Sequence, residues 1–136
     1  MRGEVSPISD TIERLLIAAH LKGIGMSLYS KYLRERTKDQ ILELEQGFAT
    51  YRFVPEQKAV YIIDIFVDRD FRDQGLATIM ADKIADIAKK QGCIKMFGTV
   101  APSSYGSTVS LKVLLSYGMS LQSSGPDYII LEKELN

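Results

Sequence analysis

One short segment, residues 72–77, has the composition of an anion-binding turn: Arg-Asp-Gln-Gly-Leu-Ala. It follows an apolar run typical of a strand, residues 61–67, and it opens a run typical of a helix, residues 76–90. The first N–H groups of a helix have no partner inside the helix, and the helix dipole is positive there. The small residues Gly75 and Ala77 let a ligand approach those groups closely. The segment therefore predicts a site for a phosphate or a similar anion.

Composition limits the classes of function. The chain has 136 residues, of which 46% are hydrophobic and 25% charged, as in a soluble globular protein with a single domain over residues 1–136. Its 17 basic and 17 acidic residues cancel, which argues against a nucleic-acid-binding protein and favours self-association or an assembly partner. No apolar run is long enough to cross a membrane, and no signal segment follows Met1. We therefore expect a cytoplasmic protein without a membrane partner.

The sequence contains one cysteine and one histidine. The lone Cys93 excludes an internal disulfide, fits a reducing compartment, and is expected to pack as a small hydrophobic residue. A single histidine, His20, and a single cysteine do not provide the ligands of a zinc cluster, so we expect no metal site.

The N-terminal part is typical of helices. Asp10 is a candidate N-cap for a first helix in which apolar residues recur at helical spacing, and residues 27–36 form a second helical run with a basic outer side. Residues 37–46 have two interpretations: Thr-Lys-Asp-Gln at 37–40 resembles a capping box, whereas Leu-Glu-Leu-Glu at 42–45 alternates as a strand does. We favour the helix.

The middle of the chain predicts a sheet. Residues 48–54 and 59–67 are rich in strand formers and are separated by the turn-like segment 55–58. The second strand is almost continuously apolar, so we expect it to be central and covered on both faces. The helix 76–90 has one apolar stripe and ends before Gly92, and residues 93–100 form the next strand. A strand–helix–strand order implies that the two strands are parallel neighbours.

The C-terminal part predicts a helix and a hairpin. Ser107 is a candidate N-cap for a helix over 109–117, which Gly118 ends. Residues 119–121 and 127–131 then form two strands around a turn at 123–126. We expect an α+β fold, an α/β three-layer arrangement with a mixed and mostly antiparallel central sheet flanked by helices.

From residue 48 to residue 135 this order resembles the GNAT superfamily of acetyl-CoA-dependent N-acetyltransferases. The segment 72–77 reads Arg-x-x-Gly-x-Ala and is similar to the pyrophosphate loop of that family, and residues 67–72 resemble its Val-x-Pro-x-x-Arg lead-in, with Arg69 in place of the proline. The resemblance implies a central parallel strand pair that splays apart, with the pantetheine arm of acetyl-CoA in the gap. It also implies transfer of an acetyl group to a primary amine of a small molecule or a protein.

The resemblance further implies a set of residues that bind acetyl-CoA. The backbone of the splayed strand would hold the pantetheine arm, the loop and the helix start would hold the pyrophosphate, and the start of the last helix would contact the CoA arm where the family often has Asn. These residues are Ile65, Val67, Arg72, Asp73, Gln74, Gly75, Leu76, Ala77, Thr78 and Ser107.

Catalysis needs a group that accepts a proton from the amine and a group that returns one to the thiolate. Asp64, an acid within the predicted central strand, is the best candidate base, because burial would raise its pKa; Glu43 and Glu45 are alternatives. Pairing of Asp64 with an Arg, with no catalytic role, is an equally good interpretation.

The proton donor is missing from its usual place. Many family members have Tyr seven residues after that Asn, and this chain has Leu114 there. Tyr117 and Tyr105 are the candidate substitutes. The alternative hypothesis is a catalytically inactive GNAT-fold protein with a structural, assembly or binding role. The strand at 127–131 could pair two copies as an edge of the sheet.

Overall fold

The computed structural model describes residues 27–136, which contain three α-helices, two short 3-10 turns (Pro55–Gln57 and Arg69–Phe71) and six strands. The expected first helix and His20 lie outside this range. In chain order the elements are α1 (Leu28–Arg36), β1 (Gln40–Glu43), β2 (Gly47–Val54), β3 (Ala59–Val67), α2 (Leu76–Lys90), β4 (Lys95–Val100), α3 (Ser107–Ser116), β5 (Ser120–Gly125) and β6 (Tyr128–Glu134). No helix within residues 27–136 is long and apolar enough to cross a bilayer.

The six strands form one mixed sheet in the order β1-β2-β3-β4-β6-β5. Only β3 and β4 are parallel, and α2 makes the crossover between them; every other neighbouring pair is antiparallel. The predicted mixed and mostly antiparallel sheet is therefore confirmed.

Helices cover both faces of the sheet. The apolar stripe of α2 is buried against β2, β3, β4 and β6, and its fully buried members are Met80, Ile84 and Ala88. The α3 helix lies on the same side as α2, because Leu114 belongs to the same core. The α1 helix lies on the opposite side, where Tyr29 contacts Phe48, whose neighbour Ala49 faces the core. The predicted three layers are confirmed.

The predicted helix over 37–46 is wrong, because this segment contains β1. Leu42 pairs with Ala49 of β2, and this pairing satisfies the backbone along the alternating residues. The Thr37 hydroxyl donates to the Leu33 carbonyl and accepts from the Asp39 N–H, so it ends α1 instead of starting a helix. Pairing with β2 prevailed over the local capping signal.

Three further expectations need correction in the C-terminal part. The hairpin strands are longer than predicted, so that only residues 126–127 form the turn between β5 and β6. The strand predicted at 127–131 corresponds to β6 and is not an edge, because β6 lies between β4 and β5. The N-cap of α3 is Gly106, with a φ of 78°, and not Ser107.

Candidate active site

The parallel strands β3 and β4 separate partway along their length. Their register runs from Ala59 opposite Lys95 to Ile62 opposite Gly98, although the strands continue to Val67 and Val100. The separation begins beside a bulge, because β2 pairs Tyr51 with Ile62 and Thr50 with Asp64 and so leaves Ile63 as the extra residue. We call the gap between residues 63–67 of β3 and residues 99–100 of β4 the split.

The β3 side of the split presents backbone groups. The N–H of Asp68 donates to Gln46 and so points toward β2, and along a strand successive residues point their backbone groups to opposite sides. The backbone groups of Ile65 and Val67 therefore point into the split, as the resemblance implies. The Val67 carbonyl accepts from Nε of Arg72 at 2.8 Å, which leaves its N–H and both groups of Ile65 for another partner.

The predicted anion loop lies in the segment between β3 and α2. Asp73 and Gly75 have φ values of 64° and 81°, and Gly75 is the N-cap of α2 without a side-chain cap. Because the first intrahelical bond runs from Ile79 N–H to the Gly75 carbonyl, the preceding N–H groups of the first turn have no intrahelical acceptor. A Cβ atom at Gly75 would meet nothing within 4 Å, so the space in front of this turn is open.

The loop residues differ in what they can offer an anion. Asp73, Gln74, Gly75 and Thr78 are exposed, whereas Leu76 is buried and anchors the turn to the core. Two contacts hold Arg72 at the end of β3. Its Nε donates to the Val67 carbonyl, and its guanidinium lies 5.7 Å from the centre of the Phe66 ring. Only Nε of Arg72 is used in the bond to Val67, so its terminal N–H groups are free of that contact.

Asp64 lies beside the bulge, but it is exposed rather than buried as expected. The bulge places Asp64 and Phe66 on the α1 face of the sheet, opposite Thr50 and Phe48 of β2, and Phe66 is 48% exposed. The neighbouring protein nevertheless displaces enough water to raise the pKa of the Asp64 carboxyl. The expectation that β3 is covered on both faces holds for its first half and is wrong for its second half.

The alternative bases are placed differently. A Glu43 carboxylate oxygen accepts a hydrogen bond from the Ser27 hydroxyl at 2.8 Å, at the end of the edge strand β1. Glu45 is exposed in the loop between β1 and β2. Neither residue lies on β3 or β4, so Asp64 is the acid nearest the split along these strands.

Tyr117 lies away from the split. Its hydroxyl donates to Asp82 of α2 at 2.9 Å, and Nζ of Lys133 lies 4.1 Å from the centre of its ring. Burial, followed by the bond to Asp82, raises the pKa of Tyr117 strongly. Lys133 pairs with Met96, near the start of β4, whereas the split opens beyond Gly98. The structure therefore does not bring Tyr117 together with Ile65 and Val67.

The other predicted residues lie on the segment that follows β4. Tyr105 is fully exposed in the loop before α3. The Ser107 hydroxyl donates to the Pro102 carbonyl at 2.8 Å and so holds this loop closed. The loop is also tied to the last hairpin, because the Asp127 carboxylate accepts from both the N–H and the hydroxyl of Ser103.

Leu114 lies at the closed end of the split. It is buried, and a Cβ atom at Gly98, the last paired residue of β4, would lie 3.3 Å from its Cδ1 atom. The α3 helix therefore places Leu114 beside the split, where its aliphatic side chain cannot donate a proton.

Sequence reasoning missed a polar pair beside the split. The hydroxyls of Tyr61 on β3 and Thr99 on β4 are 2.8 Å apart, and the Tyr61 ring stacks on Phe97 with a centre-to-centre distance of 4.9 Å. Neither residue belongs to a motif. Their proximity depends on the parallel register, which pairs Tyr61 with Phe97 and which the sequence does not encode locally.

The chain resembles known acetyltransferases in sequence and in fold. Residues 46–108 match the family model described as the Acetyltransferase (GNAT) family. No curated protein matches the chain. Within residues 27–136, no group of three or more His, Cys, Asp or Glu side chains is arranged to hold a metal ion.

Solved structures share the fold at low sequence identity. A protein from Desulfovibrio desulfuricans assigned to the GNAT family is 14% identical, with a TM-score of 0.69 and coverage of 98% of this chain and 96% of the other. The PaiA N-acetyltransferase from Thermoplasma acidophilum, in complex with coenzyme A, is 12% identical, with a TM-score of 0.61 and coverage of 93% and 92%. An acetyltransferase from Bacillus subtilis, also in complex with CoA, is 17% identical, with a TM-score of 0.60 and coverage of 98% and 95%.

Proposed function

We propose that this chain is a GNAT-superfamily enzyme that transfers an acetyl group from acetyl-CoA to a primary amine of a small molecule or a protein. One observation carries the proposal. The split between β3 and β4 and the uncapped start of α2 are joined by the eight residues 68–75, which include the 3-10 turn Arg69–Phe71. An extended arm and an anionic head group linked to it therefore have adjacent sites.

The residues present suit acetyl-CoA as the acetyl donor. The backbone of Ile65 and the N–H of Val67 would pair with the pantetheine arm as a neighbouring strand would. The first-turn N–H groups of α2 would hold the pyrophosphate, where the positive φ and open surroundings of Gly75 allow close approach. Arg72 adds positive charge beside three exposed acids of the same segment, Asp68, Asp70 and Asp73.

The proposed chemistry is attack of a neutral amine on the thioester carbonyl. Asp64 is the proposed base, since it lies beside the bulge and the protein raises its pKa. Backbone N–H groups of the split stabilise the negative charge that develops on the carbonyl oxygen. Amide and free CoA are the products.

A second candidate function, a GNAT-fold binding or assembly protein without catalysis, is favoured by one specific observation. Leu114 occupies the position of the usual proton donor and packs at the closed end of the split against Gly98. Such a protein would bind acetyl-CoA without turning it over, or would use the fold alone.

Calorimetric titration with acetyl-CoA tests the binding half of the proposal. We expect saturable binding that Gly75→Glu abolishes, because the new carboxylate would stand in front of the helix start. Gly92→Glu is a matched control: Gly92 also has a positive φ, 89°, and open space around it, but it follows the C-terminus of α2. A folded wild-type protein that binds no acetyl-CoA would contradict the proposal.

Release of the CoA thiol in the presence of a panel of amines and protein lysates tests the transfer. Asp64→Asn should lower kcat/KM and remove the acidic limb of its pH profile, since the raised pKa of Asp64 places that limb above the range of an ordinary aspartate. Acetyl-CoA binding without release by any acceptor would favour the second function.

A further inference from the structure

The proposed transfer lacks a proton donor at Leu114, yet another hydroxyl lies beside the split. We infer that Tyr61 donates the proton to the departing thiolate of CoA, with Thr99 as a positioning residue. This inference rests on the proposed function. It assigns a role to the polar pair that no motif identifies.

The β3–β4 register brings the Tyr61 hydroxyl to the closed end of the split. Tyr61 stands opposite Phe97, and the two rings stack with an angle of 11° between their planes. The Tyr61 hydroxyl then lies 2.8 Å from Thr99 Oγ1, one residue beyond the last paired position of β4 at Gly98. Stacking fixes the ring, so the hydroxyl is held at this end of the split with little conformational freedom.

The bulge puts Tyr61 and Asp64 on the same face of β3. In a regular strand these two residues would point to opposite faces, because their spacing is odd. Their partners on β2 are Arg52 and Thr50, two residues apart on the uninterrupted side of the bulge, so both side chains project on the α1 face. The proposed base and the inferred acid thus lie on one face of β3, on either side of Ile62 and Ile63. Leu114 approaches the split from the other face, where α2 and α3 lie.

Proton transfer from Tyr61 completes the balance of the reaction. The amine nitrogen forms a bond to the carbonyl carbon, and the carbon–sulfur bond breaks with its electron pair on sulfur. Asp64 or a water accepts the amine proton, and the Tyr61 hydroxyl gives its proton to the sulfur. The phenolate recovers a proton from solvent. The Thr99 hydroxyl can donate to the Tyr61 oxygen, which leaves the Tyr61 proton free for the sulfur.

The alternative role for the pair is a structural tie between β3 and β4. The two roles differ in what happens to bound CoA as its thiol ionises. A Tyr61 hydroxyl aimed at the sulfur stabilises the thiolate, since a hydrogen bond to a charged acceptor is stronger than one to a neutral acceptor. A structural tie has no such preference.

Calorimetric titration with CoA and with desulfo-CoA, at pH values on both sides of the ionisation of the thiol, separates the roles without turnover. For the wild-type protein we expect the ratio of the CoA affinity to the desulfo-CoA affinity to rise about tenfold from the pH at which the thiol is neutral to the pH at which it is ionised. Tyr61→Phe keeps the ring and should lose this gain; Tyr32→Phe, which removes the hydroxyl of a half-exposed tyrosine on α1, should retain it. Equal gains in the wild-type and Tyr61→Phe proteins would overturn the inference.

Thr99→Val provides the second variant, because it leaves Tyr61 in place and removes its partner. Thr99→Val should reduce the thiolate-dependent gain in CoA affinity severalfold. If Tyr61→Phe fails to fold, an unchanged gain in Thr99→Val would overturn the inference in its place. In turnover, Tyr61→Phe should lower kcat by about 100-fold with little change in KM. A wild-type protein that shows the thiolate-dependent gain but acetylates no amine would refute the proposed function and leave the contact between Tyr61 and the sulfur standing.

Discussion

Gly47→Ala is the substitution that most directly tests the packing behind the split. A Cβ atom at Gly47 would clash with the Phe66 carbonyl oxygen and would lie 3.0 Å from the Val67 Cα atom. Both neighbours are backbone atoms of the β3 wall, so relief needs a movement of about 1 Å to reach ordinary contact. Forced packing of this kind costs about 3 kcal/mol. Alanine has less backbone freedom than glycine in the unfolded chain, and this difference offsets about 1 kcal/mol of that cost.

The net expectation is a loss of about 2 kcal/mol in the free energy of unfolding, or about 8 °C in Tm for a domain of this size. Because Gly47 is opposite Val67, the displaced strand should also weaken acetyl-CoA binding by about tenfold. Denaturant titration and calorimetry measure the two effects.

Gly98→Ala is the control for Gly47→Ala, because it adds the same methyl group against a side chain instead of against backbone. Its new methyl group would meet the flexible end of Leu114 at 3.3 Å rather than backbone, so the expected change in stability is within about 0.5 kcal/mol. A Gly47→Ala protein as stable as the Gly98→Ala protein would refute the reasoning that rigid backbone contact sets the cost.

Three other outcomes follow from particular contacts. Met80→Ala should lower the free energy of unfolding by about 3 kcal/mol in denaturant titration, because Met80 is fully buried between α2 and the sheet; a loss below 1 kcal/mol would mean that the core closes over the gap. Tyr117→Phe should cost about 1 kcal/mol through the lost bond to Asp82 while leaving acetyl-CoA affinity unchanged, and a large loss of affinity would show that Tyr117 reaches the site after all. The two hydrogen bonds from Ser103 lower the pKa of Asp127, so the stability they add is present above the ordinary pKa of an aspartate and is lost as pH falls through the lowered pKa. The difference in Tm between the wild-type and Asp127→Asn proteins should therefore vanish in acid. A difference that stays constant with pH would contradict this linkage.

Long periodic segments were the easiest part of the fold to predict. The α2 helix begins at Leu76 and ends at Lys90, as predicted, because its apolar stripe and the glycines at both ends act locally. The predicted helix at 37–46 failed for the opposite reason. A strand is stabilised by a partner, and the partner of β1 comes later in the chain.

The candidate site divides in the same way. The geometry of the candidate anion loop was predictable because a strand, a small-residue turn and a helix start are contiguous, and Asp64 was recognisable as an acid within a strand. Its exposure was not predictable, since an apolar run indicates a covered strand, whereas the second half of β3 leaves its neighbour. Tyr117 was close to the site in sequence only. The length of α3 carries it to the other end of β4, against Asp82.

By itself, the sequence determined the order of most elements and the turn between β3 and α2, because backbone propensity, capping and hydrophobic periodicity act over a few residues. The tertiary structure decided where β3 leaves β4, which face Asp64 takes after the bulge at Ile63, and that Tyr61 reaches Thr99. The first and the last of these features depend on register between segments about 40 residues apart, and the second depends on the register between the neighbouring strands β2 and β3. A shift of one residue would turn every side chain of a strand to the other face.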